Sequence, residues 1–157
     1  MSTPAPNSTD LYQYKFAWGF VPIGNLEIDF SEYRSRNVIV SRGQTTGLSR
    51  LLKNYSARVS LKIDPDTKFR HYELNGLDRG SKEIRKIRFG NGGLPQQIEF
   101  KDATATSGLE VEDVLDQDSV DPLWVFSWFF AKKVGENRCN KKFKVFDGKR
   151  RFLVKVQ

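Results

Sequence analysis

The sequence predicts a mainly β protein: a curved antiparallel sheet or half-barrel with one or two short helices. Short segments in which apolar and polar residues alternate recur along the chain, and turns rich in Gly, Pro and Asp separate them. Aromatic residues make up 13% of the 157 residues, and aromatic side chains pack well on a pleated sheet. We therefore expect a single β-rich domain over residues 11–157, after a disordered polar tail at residues 1–10.

The individual strands follow from the alternation. The first is the clearest, because aromatic residues recur at every second position from Tyr12 to Trp18. Further strands are predicted at residues 26–30, 37–42, 57–63, 68–74, 84–89, 97–100, 109–111, 140–146 and 152–156. Residues 46–55 place leucines at helical spacing and predict a helix. Asp147-Gly148 suits a two-residue type I′ turn, which would set Phe143 directly across from Phe152.

A second helix, predicted over residues 121–134, is apolar almost all the way round. Asp121 and Pro122 suit the first positions of a helix, as a capping acid and a first-turn proline. Ser127 is the only polar side chain between Pro122 and Ala131. A helix with no polar face must be enclosed, so we expect it to pack in the concave face of the sheet.

A hollow of this kind can also hold an apolar ligand. The predicted ligand-binding residues are aromatic side chains of the first hairpin and of the helix, namely Trp18, Phe20, Trp124, Trp128 and Phe129. The alternative is that the helix only fills the core of the sheet. In the ligand interpretation Phe126 and Phe130 are structural, and Trp124 and Trp128 lie nearer the opening.

The chain is basic, with a formal net charge of +7. Its densest basic clusters predict contacts with an anionic partner, through Arg85, Lys86, Arg88, Arg150 and Arg151. The alternative is that these residues are solvated strand and turn positions. Nucleic acid is the less favoured partner. No apolar run approaches the ~20 residues that span a bilayer, so no transmembrane segment is expected.

The sequence does not predict catalysis, a cofactor or a metal. His71 is the only histidine and Cys139 the only cysteine, and together they supply at most two soft ligands for a metal such as zinc. As a nucleophilic pair they would have to be brought together by the fold. No Gly-x-Ser-x-Gly elbow is present to place a serine nucleophile.

Several motifs resemble those of the domain-of-unknown-function 3108 family of exported bacterial envelope proteins. In chain order they are Tyr14 to Trp18 with Val21-Pro22-Ile23-Gly24, Gly43-Gln44-Thr45-Thr46-Gly47, Asp121-Pro122-Leu123, and Cys139 with Val145-Phe146-Asp147-Gly148-Lys149-Arg150-Arg151-Phe152. The resemblance implies a periplasmic or cell-envelope protein with a curved sheet, similar to lipoprotein- or lipid-carrier folds. It implies no established activity.

The chain departs from the family pattern at both ends. It lacks a signal peptide, and it ends soon after the Phe146-Asp147-Gly148 hairpin, where family members continue, often with a second cysteine. We expect a truncated member in which Cys139 has lost its partner, and a cytoplasmic location is the alternative. The predicted function is a non-catalytic cell-envelope protein that binds a lipid, an acyl chain or a lipoprotein in the groove between sheet and helix. The alternative function is a basic surface adaptor for nucleic acid or an anionic membrane.

Overall fold

The main element of the fold is a seven-stranded antiparallel sheet in which each strand pairs with the next along the chain. The computed structural model describes residues 10–90, 93, 95–102, 119–131 and 141–156. The seven strands are β1 Leu11–Trp18, β2 Val21–Asp29, β3 Val38–Thr45, β4 Tyr55–Ile63, β5 Arg70–Asp78, β6 Ser81–Phe89 and β7 Pro95–Asp102. The sheet is not closed, and the prediction of a mainly β, antiparallel fold is confirmed.

One face of this sheet forms the core, and we call it the core face. Residues directly paired across antiparallel strands point to the same side. The pairing therefore lines up Ile39, Leu61, Tyr72 and Ile87 in one row, and all four are buried. The alternate positions form the outer face, which carries exposed charged side chains such as Arg58.

A helix and a hairpin pack against the core face. The helix is α3 Pro122–Ala131, and the hairpin joins β8 Lys141–Phe146 to β9 Arg151–Val156. The segment before α3 runs parallel to β8, where the Val120 backbone N–H donates to the Lys144 carbonyl (2.9 Å). Leu123 and Phe146 complete the hydrophobic core cluster of the sheet. Every described side chain from Asp121 to Trp128 is buried or half-buried, as expected for a helix without a polar face.

The other two helices are single turns, α1 Tyr33–Arg36 and α2 Ser49–Leu52. The helix predicted at residues 46–55 is thus only four residues long, because β4 already begins at Tyr55. The leucines of this helix do not pack on the sheet, since Leu48, Leu51 and Leu52 are exposed. Residues 132–134 of the longer predicted helix, the predicted strand at 109–111 and residues 1–9 of the tail lie outside the described residues.

The predicted two-residue turn between β8 and β9 is wrong. Phe146 pairs with Arg151 and Phe143 pairs with Val154, so a four-residue loop, 147–150, joins the strands. The Asp147 side chain favours this loop because its Oδ1 accepts hydrogen bonds from the backbone N–H groups of Lys149 (2.8 Å) and Arg150 (2.7 Å).

Candidate functional site

Large apolar side chains are exposed together at one end of the sheet, where β1 turns into β2 and β3 connects to β4. Trp18 is 84% exposed, Phe20 is fully exposed and Leu51 is 83% exposed. We call this surface the apolar end; its members are Phe16, Trp18, Phe20, Val21, Ile23, Leu48, Leu51 and Leu52. Contiguous exposed apolar surface usually marks a place where a protein meets a membrane or another protein.

Hydrogen bonds hold the two loops of the apolar end together. The Ile23 carbonyl accepts from the Thr46 backbone N–H (3.2 Å) and from the Ser49 hydroxyl (2.8 Å). Gly47 has a φ of +60°, and a Cβ at this position would lie 3.0 Å from the Pro22 carbonyl oxygen. Only glycine therefore fits this close approach of the loops. The β1–β2 hairpin and α2 are consequently held side by side at this end of the sheet.

The apolar end is also the basic end of the described fold. Residues 15–24 and 46–55 contain Lys15, Arg50 and Lys53 and no acid. The other turns at this end, residues 78–82 and 147–151, contain five Lys or Arg residues and two Asp residues. At the opposite end, residues 29–37 and 63–70 carry acids and bases in equal number. Among these described turns, the positive charge is thus concentrated at the end that carries the exposed apolar side chains.

A polar cavity of about 450 Å³ opens next to the apolar end. Its lining comes from the start of β4, the β5–β6 turn and the β8–β9 loop, and consists of Lys53, Tyr55, Asp78, Arg79, Ser81, Glu83, Arg85, Asp147, Lys149 and Arg150. Five of these residues are cationic and three are acidic, which gives the cavity a formal charge of +2 (5 − 3). Burial, reinforced by the nearby charge of Glu83, raises the pKa of the Tyr55 hydroxyl, which therefore stays protonated.

Arg85 forms the central ion pairs of this cavity, and its predicted contact with an anionic partner stays a prediction. It lies on the core face and is buried, in register with Leu74. Its Nε donates to Glu83 Oε1 (2.8 Å), and its Nη1 donates to the Asp147 carbonyl (3.0 Å) and lies 3.2 Å from Asp147 Oδ2. Two acids within the chain already neutralise this guanidinium.

The remaining predicted basic residues occupy separate places. Lys86 and Arg88 lie in β6 on the outer face, opposite in direction to Arg85, because side chains alternate along a strand. Lys86 is exposed, and the Arg88 guanidinium stacks 5.2 Å from the Phe69 ring centroid. Arg150 and Arg151 are exposed, and Arg150 lines the polar cavity. The five residues therefore do not form one basic surface.

The predicted ligand-binding aromatic residues also fall into two groups. Trp18 and Phe20 belong to the apolar end. Trp124 lies 4.7 Å from the guanidinium of Arg70, at the other end of β5, and Trp128 packs edge-on against Phe143 (4.9 Å). The two ends of β5 are eight residue steps apart, which is about 26 Å along a strand. The two groups of aromatic residues therefore lie at opposite ends of the sheet. The side chain of Phe129 lies outside the described residues, and ligand binding by this set stays a prediction.

A buried ion pair ties α3 to the sheet at that opposite end. Asp121 is fully buried and its Oδ1 accepts the backbone N–H of Trp124 (2.7 Å), as a helix cap. Its Oδ2 lies 4.0 Å from Arg70 Nη1 and has no hydrogen-bond partner among the described residues. Burial raises the pKa of Asp121 to about 6, against the opposing effects of Arg70 and the helix N–H groups. We interpret this pair as structural.

The helical spacing of Leu48, Leu51 and Leu52 predicts a helix but gives no sign that these side chains are exposed together. His71 is exposed on the outer face, and Cys139 lies outside the described residues. Within the described ranges no group of three potential metal ligands occurs, and no helix is long and apolar enough to cross a membrane.

No known protein family, curated protein or solved structure matches the chain. The resemblance to the domain-of-unknown-function 3108 family therefore stays a prediction, as do the envelope location and the absence of catalysis.

Proposed function

We propose that the chain attaches peripherally to an anionic membrane surface through its apolar end. The observation that carries the proposal is the exposure of Trp18, Phe20 and Leu51 on two neighbouring loops that hydrogen bonds join. Fully burying one such side chain contributes about 1.5–3 kcal/mol. Insertion of three of them therefore contributes on the order of 5–9 kcal/mol, before the loss of translational and rotational freedom on association is subtracted.

The charge distribution favours a membrane over an apolar protein groove. Lys15, Arg50 and Lys53 flank the exposed side chains with no acid in the same segments. Each cation close to an anionic bilayer contributes about 1 kcal/mol. Stable peripheral binding needs two signals, such as an apolar anchor and a basic patch, and the apolar end supplies both.

The same geometry argues against nucleic acid. Sequence-tolerant binding of single strands needs exposed aromatic rings interleaved with cations along a groove. On the described outer face, the exposed Arg42 and Arg58 pair with each other and, on their other sides, with Glu27 and Asn75, so no aromatic ring lies directly across from them. Trp18 and Phe20 instead project at a hairpin tip, a geometry suited to insertion into a bilayer interface.

Vesicle co-sedimentation tests the proposal. The protein should sediment with vesicles that contain phosphatidylglycerol and much less with pure phosphatidylcholine. Leu51→Ser should weaken binding about tenfold, and a combined Trp18→Ser, Leu51→Ser variant about a hundredfold, since 1.4 kcal/mol corresponds to a factor of ten. Leu11→Ser is the matched control, because Leu11 is 47% exposed at the far end of β1. Equal binding of all four proteins would contradict the proposal.

A second candidate is the predicted binding of a lipid, acyl chain or lipoprotein between the sheet and α3. The half-buried state of Trp124, Phe126 and Trp128 favours it, because a helix that only fills a core should bury its largest side chains, although Phe126 is thereby not set apart from the two Trp residues as predicted. Lipid mass spectrometry on gently purified protein and titration with a fluorescent fatty acid test this candidate. Absence of both signals would remove it without affecting membrane attachment.

A further inference from the structure

We propose that the polar cavity binds the phosphate ester of a hydroxylated alcohol, with glycerol phosphate as the simplest member of the class. If a lipid supplies this group, the inference rests on the proposed membrane attachment. The cavity and the apolar end are different surfaces, made by different residues, so the two proposals can fail separately.

The first argument is the surplus of positive charge. Asp78 pairs with Lys53 (3.4 Å), and Glu83 and Asp147 both pair with Arg85. These pairs account for all three acids of the cavity. Across the described residues no acid lies within ion-pair distance of Arg79 or Arg150.

These two guanidinium groups are placed on different walls. Arg79 belongs to the β5–β6 turn, and Arg150 closes the β8–β9 loop. Guanidinium groups bind phosphate oxygens through paired N–H donors. Two of them on facing turns suit an anion with several oxygens better than a flat carboxylate.

The second argument is the set of neutral and acceptor groups. The Tyr55 side chain lines the cavity, and its hydroxyl, which lies beside Gly76, has no hydrogen-bond partner within the described part of the chain. Asp78 Oδ1 is buried and also lacks a partner there. Asp78 is only half-buried, so a rotation of its carboxylate would bring Oδ1 to a hydroxyl group of the alcohol, and the Tyr55 hydroxyl would donate to a phosphate oxygen. A phosphate alone would leave the Asp78 oxygen unsatisfied.

The third argument is the position of the cavity. Arg79 Nη2 donates to the Leu52 carbonyl (2.6 Å), and Lys53 follows in sequence, so the rim of the cavity is joined to α2. Leu51 and Leu52 are the exposed residues of that helix. A protein seated on a bilayer by these leucines would hold the cavity at the depth of the lipid phosphates.

Two arms of one experiment distinguish a soluble from a lipid source. In the first arm, NMR titration compares glycerol phosphate with inorganic phosphate, sulfate and glycerol. Glycerol phosphate should bind most tightly, and Arg79→Ala or Arg150→Ala should weaken it about tenfold, the effect of one lost charge-assisted pair. Arg34→Ala is the control, because Arg34 is an exposed cation at the opposite end.

In the second arm, vesicles with phosphatidylglycerol are compared with vesicles of equal surface charge from a carboxylated sterol. Tighter binding to phosphatidylglycerol, lost in the combined Arg79→Ala, Arg150→Ala variant, assigns a lipid source. Glycerol phosphate binding without any vesicle binding retains the cavity site with a soluble ligand and overturns the membrane proposal. Equal binding to both vesicle types, with no glycerol phosphate signal, overturns the cavity site and leaves membrane attachment intact.

Discussion

The Asp121 carboxyl should make the stability of the protein fall as the pH rises through its pKa. The side chain is fully buried, its Oδ2 has no hydrogen-bond partner among the described residues, and Arg70 is 4.0 Å away rather than in hydrogen-bond contact. Burial therefore outweighs the attraction of Arg70, and the pKa rises from 3.8 to about 6. The informative change is Asp121→Asn, which keeps an oxygen to cap the Trp124 N–H and removes the titration.

The sign follows from proton linkage. Between the unfolded and folded pKa values the folded chain binds more protons than the unfolded chain, so the contribution is full below pH 3.8 and is lost as the pH rises through about 6. A difference of about 2.2 pKa units at 1.36 kcal/mol each amounts to about 3 kcal/mol. About 2 kcal/mol of this stabilisation is lost between about pH 4.5 and about pH 7.5.

Urea unfolding of the wild type and Asp121→Asn at several pH values measures the effect. The free energy of unfolding of the wild type, relative to the variant, should fall by about 2 kcal/mol from about pH 4.5 to about pH 7.5. Asp64→Asn is the control, because hydrogen bonds from the backbone of Thr67 and Asp66 lower the pKa of the exposed Asp64. The difference in free energy of unfolding between Asp64→Asn and the wild type should therefore stay constant over this pH range. If the wild type instead became more stable relative to Asp121→Asn as the pH rises, the attraction of Arg70 would outweigh the effect of burial on the Asp121 pKa. That result would refute the reasoning.

Three further predictions concern the packing of the β8–β9 hairpin and of α3. Gly148→Ala should destabilise the fold by about 2–4 kcal/mol in urea unfolding, because its φ is +93° and a Cβ would lie 3.0 Å from the Arg85 side chain. Gly80→Ala, with φ +88° and open space around it, should show only the backbone part, about 1 kcal/mol. Arg85→Ala should lower the free energy of unfolding by about 3–5 kcal/mol because two acids lose their partner, while Arg88→Ala on the outer face should change it by under about 1 kcal/mol. Leu123→Ala should cost about 2–5 kcal/mol in thermal unfolding, since the side chain is buried in the core cluster; a loss under about 1 kcal/mol would mean that α3 is not firmly packed.

The sheet could be predicted because each strand carries its own evidence. From Tyr55 to Phe89 the burial follows the alternation of the residues, and Asp- or Gly-containing turns separate the strands. The enclosed helix could be predicted because no polar face exists between Pro122 and Ala131. The β8–β9 loop could not, because the choice of four residues over two depends on the Asp147 side chain accepting two backbone hydrogen bonds. Composition alone does not reveal that preference.

The site was harder to predict, since it depends on which strand ends are neighbours. Alternation shows which face a residue occupies, and Arg85 alternates in step with Ile87 and Phe89, which lie on the buried side of β6. A count of basic residues along the chain does not separate the buried Arg85 from its exposed neighbours. Nothing local in the sequence indicates that Trp18 and Leu51, 33 positions apart (51 − 18), lie on neighbouring loops at the same end of the sheet. Their proximity depends on hydrogen bonds that join the two loops through Ile23.

The two ends of the sheet differ in what their side chains contribute to folding. At one end Asp121, Arg70 and Trp124 hold the helix in place, and their loss should be felt in stability. At the other end Trp18, Phe20, Leu51 and Leu52 are exposed by more than three quarters of their surface, and substitution of such residues changes stability by about 0.5 kcal/mol or less. Folding therefore gives no reason for four large apolar residues here, and water contact makes them unfavourable for solubility. The proposed attachment to a membrane would account for them, and the cations of the same turns fit an anionic, apolar environment.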